Sequence, residues 1–543
     1  MYIRNEDTIC APATIPGTGA ISVIRVSGPE ALSIADKLVR CRKGNISGSK
    51  GYTLKFGIIC NSINNYRTNN CVKNQDPCAG RDEEVVDEVL VSIFRAPHSY
   101  TGEDSVEISC HASSYIVSTI LNLLYEAGAR AAEPGEFTQR AYLNGKVDLV
   151  QAEAVADVIA SQNAAAHRVA FKQMKGGFSS ELRVMRSELL ELVSLMELEL
   201  DFSEEEVEFA DRSRLDTLLE EITAHISRLI DSFRLGNAIK NGVPVAIAGA
   251  TNTGKSTLLN ALLGEDRAIV SDVHGTTRDT IEETLNIDGI LFRFIDTAGL
   301  RETTEIVEKI GIERTFKKIS EASVILGMVD LTRDFETSSE TVREIVEKVD
   351  FSTQKLIILL NKTDICPVNK NVTLYNYIVS QLENKGIANT YAEFLKKGSI
   401  SDHQDSESGN IGGISSKSGV KDLLETVESE GFKSSRNSQA YIIPISAKTG
   451  SGINCLRTVL TSTQRDLLGD SDTTLVTNQR HVQALTDART SLLRVRDGLA
   501  SGLPTDLAAQ DIREAIYHLG SIVGEISTDE VLGNIFANFC IGK

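Results

Sequence analysis

The residues with the most chemistry in their spacing are Gly249-Ala-Thr-Asn-Thr-Gly254-Lys255-Ser256, a match to G-x-x-x-x-G-K-[ST]. The apolar run VPVAIAG precedes them and TLLNALLG follows. A glycine turn between a strand and a helix lets backbone N–H groups wrap a phosphate, and the helix N-terminus favours its negative charge. Lys255 is placed to reach the β- and γ-phosphates, and the Ser256 hydroxyl to ligate Mg²⁺. Three further segments follow in order. Asp296-Thr297-Ala298-Gly299 ends the run LFRFI. Its Asp can hold Mg²⁺ through water, and the Gly299 N–H can meet the γ-phosphate. Asn361-Lys362-Thr363-Asp364 ends LIILL. A carboxylate there accepts from both N1–H and the 2-amino group of guanine. Adenine lacks both donors, a mismatch that can discriminate by ~10⁴-fold or more. Ser446-Ala447-Lys448 ends YIIPI and can support the base. Either of the last two motifs alone says little. Four motifs in order on four strand ends specify a GTPase domain.

The same segments bear on hydrolysis. Many GTPases carry a water-orienting Gln directly after the D-x-x-G glycine; here that position is Leu300. Gly275-Thr276-Thr277-Arg278-Asp279 supplies a hydroxyl, Thr277, that could close on Mg²⁺. Asn252 offers a side-chain carbonyl beside the phosphates. A monovalent cation held there could neutralise charge between the β- and γ-phosphates as an arginine finger does. A side chain that merely stabilises the loop is the other reading of Asn252.

These motifs need strands and helices to hold them. VPVAIAGA, LFRFIDTAG, SVILGMVD, KLIILLNKTD and YIIPISAK are apolar runs separated by helical segments, the pattern of a parallel, doubly wound sheet. Residues 1 to about 120 mix the β-like runs AISVIRVSG, VVDEVLVSIFR and SVEISCHA with an Asn-rich loop near 61–82. From about 121 to 240, and again after 465, apolar spacings of three and four indicate helices. Glu197 to Asp211 holds eight carboxylates and no base, which reads as a solvated helix end. Gly398 to Gly419 has 12 Ser or Gly among 22 residues and reads as a flexible insertion.

The 543 residues suit three or four domains. A net charge of −19 argues against a polycation that coats nucleic acid, though not against a local basic patch. No apolar run approaches the ~18–20 residues of a membrane span. The N-terminus MYIRNEDTIC has early acids and no apolar core, so no signal peptide is expected. Nine scattered cysteines without a CxxC give no disulfide framework or zinc cluster. The expectation is a soluble, cytoplasmic protein.

Segments outside the GTPase motifs carry a more specific signal. TIPGTGAISVIRVSG (14–28), SYTGEDSVEISCH (99–111), EPGEFTQRAYLNGKVDLVQAEAVADVI (133–159), DFSEEEVEF, DTAGLRE (296–302) and the terminal FCIGK (539–543) resemble the MnmE (TrmE) family of tRNA-modification GTPases over nearly the whole chain. The resemblance implies a multidomain α+β and α/β fold. An N-terminal folate-binding and dimerisation domain would take 1–120, and a discontinuous helical domain 121–240 and 466–543. An inserted Ras-like P-loop GTPase domain would take 241–465, with an insertion about 366–440.

The resemblance also implies residue roles. The nucleotide site would comprise Asn252 to Thr257 (Thr253, Gly254, Lys255 and Ser256 between them), Ser271, Asp272, Val273, His274, Gly275, Thr276, Thr277, Asp296 to Gly299, Asn361 to Asp364 and Ser446 to Lys448. K⁺ would be held by Asn252, Ser271, the Val273 carbonyl and Thr276, with Ser271 standing where a Thr is expected. Mg²⁺ would be held by Ser256 and Thr277, and Glu308 would position the attacking water beside the catalytic Lys255 and Thr277. Arg25, Glu107, Lys146 and the terminal Lys543 would form a pocket for a tetrahydrofolate derivative, in its 5,10-methylene or 5-formyl form. A pterin presents adjacent N–H donors that suit Glu107, and cations suit the glutamate tail. Cys540 would chiefly pack near that pocket; a nucleophilic role has no base identifiable in the sequence.

The implied activity adds an aminomethyl or carboxymethylaminomethyl group to carbon 5 of the wobble uridine of certain tRNAs. Homodimers of this chain would work with the FAD- and NADH-dependent protein MnmG (GidA), and GTP hydrolysis would drive a conformational cycle. The acidic balance fits a partner that supplies much of the tRNA-binding surface. The 85 residues from Asn361 to Ser446 exceed the family's usual spacing and, like the 61–82 loop, read as surface insertions. A regulatory GTPase of ribosome assembly with RNA-binding flanks is the alternative, but such a protein has no reason to carry a folate pocket. A folate binder that has lost GTPase action is opposed by Lys255, Ser256, Asp296 and Asp364 being intact.

Overall fold

The computed structural model describes residues 7–61, 85–201, 212–264, 283–295, 322–366, 368–387, 439–464, 474–501, 505–526, 529–537, 539 and 542. They fall into two units. One comprises Met1–Ala160, Ala170–Ile230 and Gln479–Lys543; the other comprises Ser161–Val169 and Asp231–Asn478.

The first unit opens with β1 (Ile9–Pro12), β2 (Ile21–Ser27), α1 (Ala31–Leu38), β3 (Val39–Cys41), β4 (Thr53–Cys60), β5 (Val85–Phe94), β6 (Ser105–His111), α2 (Ser114–Glu126), β7 (Arg130–Ala131) and α3 (Glu136–Leu143). The strands form one sheet ordered β3-β4-β5-β6-β2-β1-β7. Their pairings are antiparallel except β1 with β7. Side chains alternate between the two faces of a strand. Ile24 and Val26 of β2, and Val106, Ile108 and Cys110 of β6, therefore turn into the core. Arg25 and Glu107 take the opposite face, directly across from each other in register. The boundary expected at 120 falls inside α2. Ile120, Leu123 and Leu124 of that helix pack in the same core as Ile24 and Ile108, so α2 belongs with the sheet. β7 extends that sheet further along the chain.

α4 (Leu149–Ala160), α5 (Ala164–Met174), α6 (Gly177–Asp201) and α7 (Arg212–Asn241) follow. α7 passes into the second unit at Asp231, and there follow β8 (Val243–Ala248), α8 (Lys255–Gly264), β9 (Glu283–Ile287), β10 (Ile290–Ile295), β11 (Val324–Asp330), α9 (Phe335–Lys348), β12 (Lys355–Asn361), α10 (Val368–Asn384), β13 (Ala440–Pro444) and α11 (Ile453–Thr463). The sheet order is β13-β12-β11-β8-β10-β9. All pairs are parallel except β9 with β10. Successive residues of β11 divide between two cores. Val324, Leu326 and Met328 pack with Leu258, Leu259 and Leu262 of α8 and with Leu456 and Val459 of α11. Ile325 and Val329 pack with Val342 and Val346 of α9 and with Ile378 and Leu382 of α10. A strand buried on both faces must be apolar throughout, which is why these runs do not alternate. The insertion expected over 366–440 is shorter than its bounds. Its first part is α10, whose Leu374, Ile378 and Leu382 are core residues, and β13 begins at Ala440. Residues 388–438, with the Ser/Gly-rich stretch, lie outside the described residues.

The first unit is completed by α12 (Gln479–Ala500), α13 (Thr505–Val523) and α14 (Asp529–Phe536). Ala484, Leu485, Ala488, Leu492 and Val495 of α12 recur at helical spacing on its buried face. α13 packs against α12, α4 and α6, and α14 against α3. Beyond α14 the backbone returns to the first strand. A Cβ at Gly542 would lie 2.1 Å from the Pro12 carbonyl oxygen, a space only glycine can occupy. No described helix is long and apolar enough to cross a membrane.

Candidate functional site

β8, flanked by β10 and β11, releases the chain at Gly249 into the phosphate-loop sequence. Gly249 (φ +150°) and Gly254 (φ +97°) hold conformations that L side chains rarely adopt. Their neighbours leave no room either: a Cβ would lie 2.5 Å from the Met328 carbonyl oxygen at the first and 2.5 Å from Asn361 Nδ2 at the second. Asn252, between them, is exposed and left-handed at φ 61°. The buried Thr253 hydroxyl donates to the Ala250 carbonyl at 2.9 Å and braces the turn from within. Lys255 Nζ folds back onto the Gly249 and Ala250 carbonyls at 2.7 and 2.9 Å. Burial, and then the charge of Arg333, lower its pKa. Ser256 and Thr257 lie in the first turn of α8, where backbone N–H groups have no helical acceptor. Hydroxyl oxygens are hard donors suited to Mg²⁺, so Ser256 fits that ion.

The other motifs converge on this loop. Asn361, at the end of β12, is 3% exposed. Its Nδ2 donates to the Thr253 carbonyl at 2.7 Å, and its Oδ1 accepts from the Ala447 N–H at 3.0 Å. One side chain thus joins the phosphate loop, the N-K-T-D strand and the S-A-K turn. Asp364 is exposed, and its Oδ1 accepts from the Ser446 hydroxyl at 2.7 Å. That bond fixes the orientation of the carboxylate. Lys362, left-handed at φ 68°, donates from Nζ to Asp330 Oδ2 at 2.7 Å. Asp330 is buried at the end of β11 and also accepts from the Thr332 N–H and hydroxyl at 2.9 and 2.7 Å. Burial alone would raise its pKa; the bonds from Lys362 and Thr332 outweigh that and hold it below the usual carboxylate range.

A second constellation lies in the first unit. Arg25 Nε and Nη2 both donate to Glu107 Oε1, at 3.0 and 2.9 Å. The guanidinium sits 5.0 Å from the Tyr100 ring centre and 5.6 Å from that of Phe137. Tyr100 Oη and Thr138 Oγ1 are bonded at 2.8 Å, which fixes the first ring to α3. Lys146 Nζ donates to the Pro97 carbonyl at 2.9 Å, and Asn144 Nδ2 to the Thr101 carbonyl at 2.8 Å. Arg25, Glu107 and Lys146 therefore gather around the loop 97–104. Beneath it lies Arg140, buried, whose guanidinium meets Asp7 at 2.7 Å, Glu136 at 3.0 Å and Glu103 at 3.2 Å. A Cβ at Gly135 would lie 2.5 Å from the Phe536 carbonyl oxygen, so the end of α14 rests on this region as well.

Comparison with known proteins shows the family. The profile described as the MnmE helical domain matches residues 149–540, and that of the GTP-binding protein TrmE N-terminus matches 8–146. The chain belongs to the MnmE family. The tRNA modification GTPase MnmE of Parabacteroides distasonis is 46% identical over 540 residues, which is 99% of this chain and 100% of that one. Its namesakes in Bacteroides thetaiotaomicron and Flavobacterium johnsoniae are 48% and 45% identical, each over 99% of this chain and 100% of theirs. Among solved structures, that of Aquifex aeolicus Era bound to GDP.AlF4- has 23% identity and a TM-score of 0.23, covering 46% of this chain and 66% of that one.

Of the residues that the MnmE resemblance singles out, several lie outside the described residues. They are Ser271, Asp272, Val273, His274, Gly275, Thr276, Thr277, Asp296, Thr297, Ala298, Gly299, Glu308, Cys540 and Lys543. Two described groups escaped sequence reasoning. Asp330 and Arg333 follow SVILGMV, and an acid ending a fully apolar strand was the available signal. Arg140 stands four residues after Glu136, an ion-pair spacing on one helix face, but nothing in the sequence says that the face is buried.

Proposed function

We propose that this chain hydrolyses GTP as a tRNA-modification enzyme. The carrying observation is the junction at Asn361, where three guanine-nucleotide motifs are held by one buried side chain. Family membership over the whole length supports the link to tRNA.

In this reading the chain's residues work as follows. The loop Gly249–Gly254 cradles the phosphates, and the N-terminus of α8 favours their charge. Lys255 Nζ leaves the Gly249 and Ala250 carbonyls for phosphate oxygens. Its charge is desolvated beforehand, so an incoming anion gains more than it would in water. Asp364, oriented by Ser446, accepts from guanine and leaves adenine unpaired. Mg²⁺ on Ser256 and Thr277 would neutralise charge on the phosphates. K⁺ on Asn252, Ser271, the Val273 carbonyl and Thr276 would substitute for an arginine finger, and Glu308 would position water.

The finer chemistry is part of the same proposal. Arg25, Glu107 and Lys146, with the terminal Lys543, bind a tetrahydrofolate derivative as one-carbon donor. Glu107 meets Arg25 through Oε1, and Oε2 makes no bond among the described residues, so a carboxylate edge remains for pterin N–H donors. The chain acts as a homodimer in the cytoplasm with the flavoprotein MnmG and places an aminomethyl-type group on carbon 5 of the wobble uridine.

Nucleoside mass spectrometry of tRNA from cells with and without the chain tests the reading. Loss of 5-substituted wobble uridines on depletion is expected. An unchanged profile, in cells that normally contain them, would move the weight to ribosome assembly. GTP turnover in KCl against NaCl tests the cation role, and equal rates would remove it.

A further inference from the structure

The phosphate loop is held from outside at two carbonyls. Asn361 takes the Thr253 carbonyl, as described above. The second bond comes from Arg333, whose Nη2 donates to the Thr251 carbonyl. In a trans peptide the C=O of one residue and the N–H of the next point in opposite directions. Holding the Thr251 and Thr253 carbonyls away from the cradle therefore turns the Asn252 and Gly254 N–H groups toward it.

Arg333 is built to do this. Its N–H donates to the Asp330 carbonyl at 3.3 Å, closing a turn at the end of β11. The next residue, Asp334, caps α9 by accepting from the Thr337 N–H at 2.9 Å. The backbone on both sides of Arg333 is thus fixed. Its Nε lies 3.9 Å from Asp330 Oδ2, the oxygen that also receives Lys362. Asp330 therefore connects the base-recognition strand with the side chain that braces the phosphate loop. The Arg333 side chain keeps 30% of its surface exposed, so truncating it opens no core cavity.

We propose that Arg333 is a positioning residue for the nucleotide: it braces the Thr251 carbonyl so that the loop presents its N–H groups to phosphate before the ligand arrives. This deepens the GTPase reading and rests on it. A loop ordered in advance loses less entropy on binding, so the effect falls on affinity and dissociation rate.

The test compares wild type with Arg333→Ala, Arg333→Gln and Arg333→Lys, using fluorescent GDP for Kd and dissociation rate and GTP turnover for KM and kcat. Losing a charge-assisted bond to the loop raises the Kd for GDP about tenfold in Arg333→Ala, with KM rising by more than kcat falls. Arg333→Lys, which keeps a charged donor, recovers most of the loss, and Arg333→Gln recovers part. The melting temperature of the nucleotide-free protein stays with that of wild type. A Kd within twofold of wild type in Arg333→Ala would overturn the proposal. So would a fall in kcat at unchanged Kd, which would make Arg333 a transition-state group instead. Wild-type protein that fails to bind GDP would defeat the GTPase reading itself, a separate outcome.

Discussion

Asn361→Asp keeps the shape of the side chain and reverses one of its two bonds. The Oδ1 that accepts from Ala447 survives, but the Nδ2 donor becomes a carboxylate oxygen 2.7 Å from the Thr253 carbonyl oxygen. The residue is 3% exposed, so water cannot readily separate the two acceptors. The lost bond is worth about 1 kcal/mol, and two acceptors left facing each other in a buried place cost about 1–3 kcal/mol more. The sum is about 3 kcal/mol, or roughly a hundredfold in Kd if it all falls on the nucleotide-bound state. Part of it will fall on the empty protein instead. The expected result is a Kd for fluorescent GDP weaker by about 10–100-fold, together with a lower melting temperature. Asn361→Ala should cost less, because the shorter side chain leaves space for a water to satisfy both backbone groups. Asp binding GDP within threefold of wild type, or Ala losing more than Asp, would refute the account of Asn361 as a donor to the phosphate loop.

Two further expectations concern the first unit. Glu153 of α4 meets Arg480 at 3.1 and 3.2 Å and His481 at 2.7 Å, tying α4 to α12. Burial would raise its pKa, but His481 and Arg480 outweigh that and lower it from 4.5 to about 2. A depressed folded-state pKa stabilises above the unfolded value, so this contribution, about 3 kcal/mol, is present at pH 7 and lost as pH falls from 4.5 toward 2. Urea unfolding of wild type and Glu153→Gln should therefore differ most at neutral pH and converge near pH 2; parallel curves across that range would contradict the assignment. Arg140→Met should destabilise this unit by about 3–5 kcal/mol, because Glu103 loses the buried counter-charge that meets it at 3.2 Å, while Glu136 keeps Arg130 at 2.6 Å. Thermal unfolding checks this; a loss under about 1 kcal/mol would mean that water reaches the carboxylate.

The sequence by itself determined the sheet of the second unit and the ends on which its motifs sit. Five apolar runs became β8, β10, β11, β12 and β13, because a parallel strand covered on both faces admits few polar residues. β9, with the run ETLNI, escaped the same reasoning: it is the antiparallel edge strand, and its exposed residues break the apolar pattern. The phosphate loop was legible because Gly249 and Gly254 stand where backbone conformation and close neighbours exclude a side chain. The domain boundary near 120 was not legible, since an amphipathic helix looks the same whether it covers a sheet or joins a bundle; Ile120 and Leu124 meet the sheet only in three dimensions. Tertiary structure alone also decided which polar residues support the sites. Asp330 ends an apolar strand and Arg140 stands four residues after Glu136, but neither pattern names the partners that these residues and Arg333 find. Their roles come from burial and from partners far along the chain, Thr251 for Arg333 and Asp7 for Arg140. Local spacing encodes what a loop or helix does with its own backbone. Which charge meets which carbonyl across 80 or more residues is set by the packing of strands and helices, and a linear pattern carries no trace of it.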